Sequence, residues 1–373
     1  MSAAAWLVGR FVCSVGWGVE KATPVLSVSS WERWDSQDYL DIAAHGIQLE
    51  RCTGGDRSLF HLTQCGTIGW LPGYSWLIRA LHSFGVSYGL SGVLISGVAF
   101  YLAIYLIWFQ WGRSLSSGRA LILLTTFSLF PGCVYNFAVY PLSITLLLCT
   151  AAIVAAIRER FVLMAALLLA AGLCYPTAWL ASLGLMAGVA LCAWDRPREV
   201  IKRLSLASFG LLSILVLTFF EPAGHPFVYF TYQSKPTGFF GVAFFKYATT
   251  IKSGNPHCLF RCSGAGYATM LTLQAWIAIL VTGLAVWVVM REWMSHRRDA
   301  GASSLYPTLA GTAVVGGLIF YSQGGAWYRS VLVAAPAVVV LRKLDIKWQG
   351  LILAVVAISA GIVSYGFFKG TLV

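Results

Sequence analysis

The stretch SSWERWDSQDYLDIAAHGI, residues 29–47, gathers Glu32, Arg33, Asp35, Asp38 and Asp41 beside Trp31, Trp34 and Tyr39. The chain around it is 373 residues long, 58% hydrophobic, and holds only 14 acidic residues. Carboxylates beside tryptophans at the edge of an apolar medium are partly desolvated, and such a carboxylate can act as a general base on a hydroxyl. Trp rings present a broad apolar surface with a polar edge, a good platform for the face of a sugar. A plainer reading stands beside this one. Asp35, Asp38 and Asp41 recur every third residue, so on a helix they drift slowly around one face. Trp31, Trp34, Leu40 and Ile42 would then lie below them in a membrane interface, with no chemistry implied.

Either reading needs a membrane, and the rest of the chain supplies one. Charged residues make up 11% of it and aromatics 14%, against about 25% charged in an ordinary soluble domain. The mean hydropathy is +0.75. Apolar runs of roughly 15–22 residues recur from end to end, which predicts an all-α polytopic membrane protein of about eleven spans. The spans fall near 4–20, 89–110, 120–135, 139–157, 161–174, 177–194, 204–220, 267–290, 305–321, 329–341 and 349–367. A β-barrel would show short alternating segments instead. No cleavable signal peptide, internal repeat or separate soluble domain is expected, so residues 1–373 read as one integral-membrane domain.

The net charge of +12 does not point to nucleic acid, because the basic residues form no single patch. They sit between apolar runs and report orientation. With the N-terminus cytoplasmic, Arg113, Arg119, Arg158, Arg160, Arg196, Arg198, Lys202 and Arg203 fall on the inner side. So do Arg291, Arg297, Arg298, Arg342, Lys343 and Lys347. The short outer connections carry none. TIGWLPGYSWLIRALHSFGV (67–86) is apolar enough to pass for a span, but Pro72, Gly73, Arg79 and His82 are costly in lipid. It is read as a helix in the outer interface, with Arg79 snorkelling to headgroups. Two long segments, about 21–88 and 221–266, then face outward, and the carboxylate cluster lies in the first.

The nine cysteines divide by position. Cys13, Cys133, Cys149, Cys174 and Cys192 lie in or beside spans and read as small apolar packing residues. Cys52, Cys65, Cys258 and Cys262 fall on the outer side. Disulfides Cys52–Cys65 and Cys258–Cys262 are the simplest pairing there. Cross-loop bridges and free thiols are the alternatives, and the spacing matches no zinc signature despite His61 and His257 nearby.

Outside the cytosol a glycosyl transfer needs a donor carried by the membrane, such as a polyprenyl-phosphate sugar. Cations at the interface would hold its phosphate, with Arg33, Arg79 and Arg329 as candidates. At this point three stretches carry a resemblance. RWDSQDYLDIAAHGI (33–47) resembles the first-loop motif of the integral-membrane GT-C glycosyltransferases, most closely the PIG-V-type mannosyltransferases of GPI-anchor synthesis and their bacterial relatives. Arg33, Trp34, Asp35, Ile42, Ala43 and Gly46 match. LPGYSWLIRAL (71–81) resembles the next family segment through Pro72, Tyr74, Leu77, Ile78 and Arg79. FPGCVYNFAVYPLSI (130–144) resembles a third through Pro131, Val134, Tyr140 and Ser143. The pattern departs at Leu142, where the family has a glutamate, and near Tyr175, where it places an arginine. Asp38 and Asp41 are also outside it.

The resemblance implies an inverting transferase with Asp35 as base, moving a hexose (mannose by the family) from a polyprenyl-phosphate donor to a lipid-linked or extracytoplasmic glycan. Substrate contacts are expected at Arg33, Trp34, Asp38, His61, Tyr74, Arg79, Tyr140, Lys252, Tyr328 and Arg329, with Lys252 in the aromatic second loop. No cofactor is expected. Mg²⁺ or Mn²⁺ on Asp35 and Asp38 is the alternative. The implied location is an inner, plasma or endoplasmic-reticulum membrane with the site on its extracytoplasmic face. A lipid or glycolipid transporter, a membrane acyltransferase and a non-catalytic partner subunit are the rival classes.

Overall fold

The computed structural model describes residues 1–20, 26–48, 50–51, 64–130, 132–192, 197–220, 283, 287 and 331–369. Over these residues the chain is helical apart from one short ladder. The helices, numbered over the described residues, are α1 (Ser2–Glu20), α2 (Ser36–His45), α3 (Gly73–His82), α4 (Tyr88–Ile107), α5 (Ser117–Ser128), α6 (Leu142–Ile157), α7 (Phe161–Cys174), α8 (Thr177–Cys192), α9 (Pro197–Ala207), α10 (Phe209–Phe220) and α11 (Ile346–Lys369). The ladder pairs β1 (Glu50–Arg51) antiparallel with β2 (Gln64–Cys65), Glu50 opposite Cys65. It joins the two sides of the stretch between α2 and α3.

Among the described residues two helices are long and apolar enough to cross a membrane. One is α4, which continues as a π-helical turn over Trp108–Gly112 to give 25 residues, and the other is α11 with 24. At 1.5 Å per residue each runs to roughly 36–38 Å, longer than the roughly 30 Å hydrocarbon core. Their outward faces are apolar: Leu94, Val98 and Leu102 on α4, and Leu351, Val355 and Ile358 on α11, are all exposed. So are Leu7, Phe11 and Val15 on α1, which packs along α11. Such helices bury one side against neighbours and leave apolar side chains outside, as lipid-facing helices do. On α4 the buried side holds Gly92, Ser96, Ala99 and Ala103 together with Phe100, Ile104 and Ile107.

Several expected boundaries change. The segment expected as a span at 120–135 is α5 followed by a 3-10 turn, Cys133–Asn136. The 204–220 run is two helices that part at Ser208. The first of these, α9, opens on Pro197 and carries Arg198, Lys202 and Arg203; a proline at the first helical position suits a new start. Residues 331–343 wind as a 3-10 helix with Pro336 inside it, where an α-helix would lack the proline's N–H. Residues 67–86 form no span. They are a 3-10 turn (Thr67–Gly69) and the ten-residue α3, roughly 15 Å long.

The bundle has two unlike ends. At one, the basic connections meet. Arg119 donates to the carbonyls of Arg342 and Leu344 at 2.9 and 2.8 Å. Arg158 donates to Gln110 at 2.9 Å. Arg203 lies over the Phe161 ring at 4.6 Å and pairs with Glu159 and Glu199 at 3.8 and 3.6 Å. At the other end lie α2, α3, the start of α4 and α6, and the close of α7 and α11. Trp31, Phe137 and Phe100 fill the core between them.

Candidate functional site

The acidic segment is built as a turn that launches a helix. Trp34 has a left-handed φ of 52°, a conformation that L residues adopt sparingly. It reverses the chain so that the ring of Trp34 stands out, 42% exposed, while Trp31 is buried at 1%. The interfacial reading of this segment laid both tryptophans below the acidic face; Trp31 is buried and Trp34 is not. The turn is closed reciprocally: Arg33 N–H donates to Ser36 Oγ at 3.1 Å and Ser36 N–H to the Arg33 carbonyl at 3.1 Å. Asp35 then stands at the N-cap of α2, but its side chain does not cap the helix. The helix dipole favours negative charge there.

α2 divides its residues cleanly. Tyr39, Ile42 and Ala43 are buried, whereas Asp35, Asp38 and Asp41 lie toward the open side at partial exposure. Burial, first, and then the charges of Asp35 and Asp41 push the Asp38 carboxyl up to about 7. Burial also raises Glu32, whose carboxylate lies over the bare backbone of Gly89. A carboxylate pair in one helical turn, one member titrating near neutrality, suits proton transfer at physiological pH.

The buried side of α2 rests on a layer of tyrosines. Tyr39 meets Tyr74 edge-on at 5.7 Å and Tyr140 at 6.3 Å. Tyr74 donates to the Gly92 carbonyl at 2.9 Å, and its hydroxyl also meets Ser96 Oγ at 2.9 Å. Ser96 Oγ donates to the Tyr140 carbonyl at 3.1 Å. The Tyr140 hydroxyl closes the circuit by donating to the Arg33 carbonyl at 2.8 Å. Ser75 fixes the middle of α2, donating to the Tyr39 carbonyl at 2.7 Å. Thus 33–47, 71–81 and 132–144 converge on one helix from three separate parts of the chain.

Arg79 has a different place from the one expected of a phosphate ligand. Its Nε and Nη2 donate to the carbonyls of Ala43 and Ile42 at 2.6 and 3.0 Å. The Ile42 carbonyl also accepts from Gly46 N–H, where φ is +86°. Arg79 therefore caps the C-terminal end of α2, against its negative pole. Tyr74 and Tyr140, expected as substrate contacts, are fully buried and act from beneath, as supports. Arg33 sits at the turn with its Nε buried and unpartnered among the described residues. Sequence reasoning gave Arg10 no role, yet its guanidinium lies 3.5 Å from the centroid of Trp31. A charge inside an apolar run was the signal available.

His61, Lys252, Tyr328, Arg329, Cys52, Cys258 and Cys262 lie outside the described residues, as do Pro131, the 221–266 segment, the 305–321 run and the 267–290 run apart from residues 283 and 287. Cys65 is described only as the backbone of β2. Among the described residues Cys13, Cys133, Cys149 and Cys174 are free and buried, as expected for packing residues. No group of three or more His, Cys, Asp or Glu that could hold a metal occurs among the described residues. The Asp35–Asp38 pair offers oxygen donors of the kind Mg²⁺ or Mn²⁺ takes, but from two residues one turn apart. Comparison with protein-family models, curated proteins and solved structures finds no match for the chain.

Proposed function

We propose that the chain is an integral-membrane glycosyltransferase of the GT-C type, with about eleven spans. Its N-terminus and basic end face the cytoplasm, and the α2 end faces the opposite side. The observation that carries the reading is the convergence of the three resembling stretches on α2, with Asp35 at its open N-terminal end. The separation of the bundle's ends adds support. Arg113, Arg119, Arg158, Arg203 and Arg342 belong to connections away from α2, as the positive-inside rule asks.

In the proposed reaction Asp35 takes the proton from an acceptor hydroxyl as that oxygen attacks the anomeric carbon of a polyprenyl-phosphate hexose. The glycosidic bond forms as the sugar–phosphate bond breaks, with inversion, and the phosphate leaves as an anion needing no proton. Trp34 offers an exposed face for a sugar. Asp38 neighbours the base and takes part in holding the acceptor. Arg33 is placed to meet the donor. The sugar, mannose by resemblance, and the acceptor, a lipid-linked or extracytoplasmic glycan, belong to the same proposal.

The test is transfer by the purified full chain in lipid. Radiolabelled polyprenyl-phosphate mannose is the donor, a membrane lipid extract the acceptor, and glucose, galactose and arabinose donors run in parallel. Label appearing in a slower-migrating glycolipid supports the reading. Absence of transfer from every donor, by protein that remains folded, would overturn it.

A further inference from the structure

Arg10 lies midway along α1, roughly 12 Å from its first residue, on a helix whose neighbouring Leu7, Val8 and Phe11 are exposed and apolar. One flat face of its guanidinium is covered by indole, 3.5 Å from the Trp31 centroid, and the Phe137 ring is 5.4 Å away. Trp31 is itself wedged edge-on against Phe137 and Phe368. The N–H donors of a stacked guanidinium point outward in its plane. Among the described residues none of them meets a carboxylate or any other acceptor. Four arginines behave differently: Arg79, Arg119 and Arg158 donate to carbonyl or amide oxygens, and Arg203 pairs with carboxylates, whereas Arg113 stacks on Phe109 at 4.7 Å at the basic end.

A cation at this depth is costly in lipid, and stacking on an aromatic face returns only part of that cost. The donors that stacking leaves over call for an anion. A second polar group follows in the chain. Asn136, next in the chain to Phe137, is fully buried with both amide atoms unpartnered among the described residues. Trp31 is also tied to the candidate site: its carbonyl accepts from Val139 N–H at 3.0 Å, and the following residues run directly into Arg33 and Asp35. An anion on Arg10 would therefore sit within the apolar zone, below the acidic turn. Such a ligand carries its charge on an apolar tail.

We infer that Arg10, stacked on Trp31, is an anion site inside the bundle that takes the phosphate of a polyprenyl-phosphate lipid. The polyprenyl identity rests on the proposed function; the shared chemistry is a lipid phosphate, and an ordinary phospholipid is the other source. The purified full chain in nanodiscs is titrated with a long-chain polyprenyl phosphate, the matching polyprenol and phosphatidylglycerol, with retention read by native mass spectrometry. Wild type is expected to prefer the phosphate to the alcohol and to phosphatidylglycerol. Arg10→Gln should lose at least about tenfold in polyprenyl-phosphate affinity, and Arg10→Lys should recover part of it. Unchanged retention by Arg10→Gln overturns the inference, even if wild type transfers sugar. Equal binding and equal loss of phosphatidylglycerol overturn the polyprenyl assignment. Should Arg10→Gln fail to fold, a photoactivatable polyprenyl phosphate on wild type decides. Crosslinks to α1 or the Trp31 turn support the site, and crosslinks confined elsewhere overturn it.

Discussion

The two ends of this bundle use charge in opposite ways. At the basic end the cations are staples: Arg119 joins α5 to the chain entering α11, and Arg203 joins α9 to the turn after α6. At the α2 end the fold is held by tyrosine and serine hydroxyls and by Arg79 at a helix terminus. The carboxylates there are held on the open side of a buried hydrogen-bonded layer. Hydroxyls and one arginine hold this end together, and Asp35, Asp38 and Asp41 lie on the side of α2 away from that layer.

The comparison breaks most completely if the two ends share one side of the membrane. In sealed vesicles a membrane-impermeant maleimide should label Gln37→Cys, on the open side of α2, from the extracytoplasmic side only. Glu159→Cys, at the basic end, should label only from the cytoplasmic side, and the native cysteines measured in wild type set the background. Next in size is Gly73→Ala. A methyl there would lie 2.7 Å from the Leu173 carbonyl oxygen, a backbone atom that cannot swing aside. Pushing α3 off α7 should cost about 1–3 kcal/mol in unfolding free energy and lower transfer as α2 loses its floor.

Tyr140→Phe is a smaller change. It removes the bond to the Arg33 carbonyl, worth about 0.5–1.5 kcal/mol. It should lower activity more than stability, because the lost contact holds the turn that aims Asp35. The last effect is a slope with pH, not a single loss. Asp38 titrates as an ordinary carboxyl when unfolded, near 3.8, and at about 7 when folded. Between those values the folded state binds the extra proton, so stability falls as pH rises from about 4 to 7 and levels off above. Asp38→Asn should flatten that decline in a thermal-unfolding series, and an unchanged slope would contradict the burial of Asp38.

Much of the helical framework was legible. α4, α7 and α11 match their apolar runs to within a few residues, and Pro72 with Gly73 and Arg79 marked α3 as something other than a span. The facing of the helices was not legible. A helix apolar all round carries no stripe to say which side meets a partner. A tyrosine near a membrane surface suits a ligand contact or a buried support equally well, and the hydroxyls of Tyr74 and Tyr140 are spent on Gly92 and Arg33. Arg79 was assigned to phosphate because a basic residue near a membrane surface signals headgroups equally well. Only the tertiary approach of α3 shows that it caps α2. The break at Ser208 was hidden because the last turn of α9, Leu204–Ala207, reads continuously with α10 by hydropathy.

The most direct measurement is the transfer rate of Asp35→Asn beside Asp41→Asn, both folded and in the same lipid. The two residues share one helix and one open side, so they differ chiefly in whether they stand at the N-cap turn beside Trp34. A positioned base contributes about 10²–10⁴-fold, so Asp35→Asn is expected to fall by that range while Asp41→Asn stays within a few-fold of wild type. Equal activity of the two variants would contradict the account and leave α2 as an interfacial anchor.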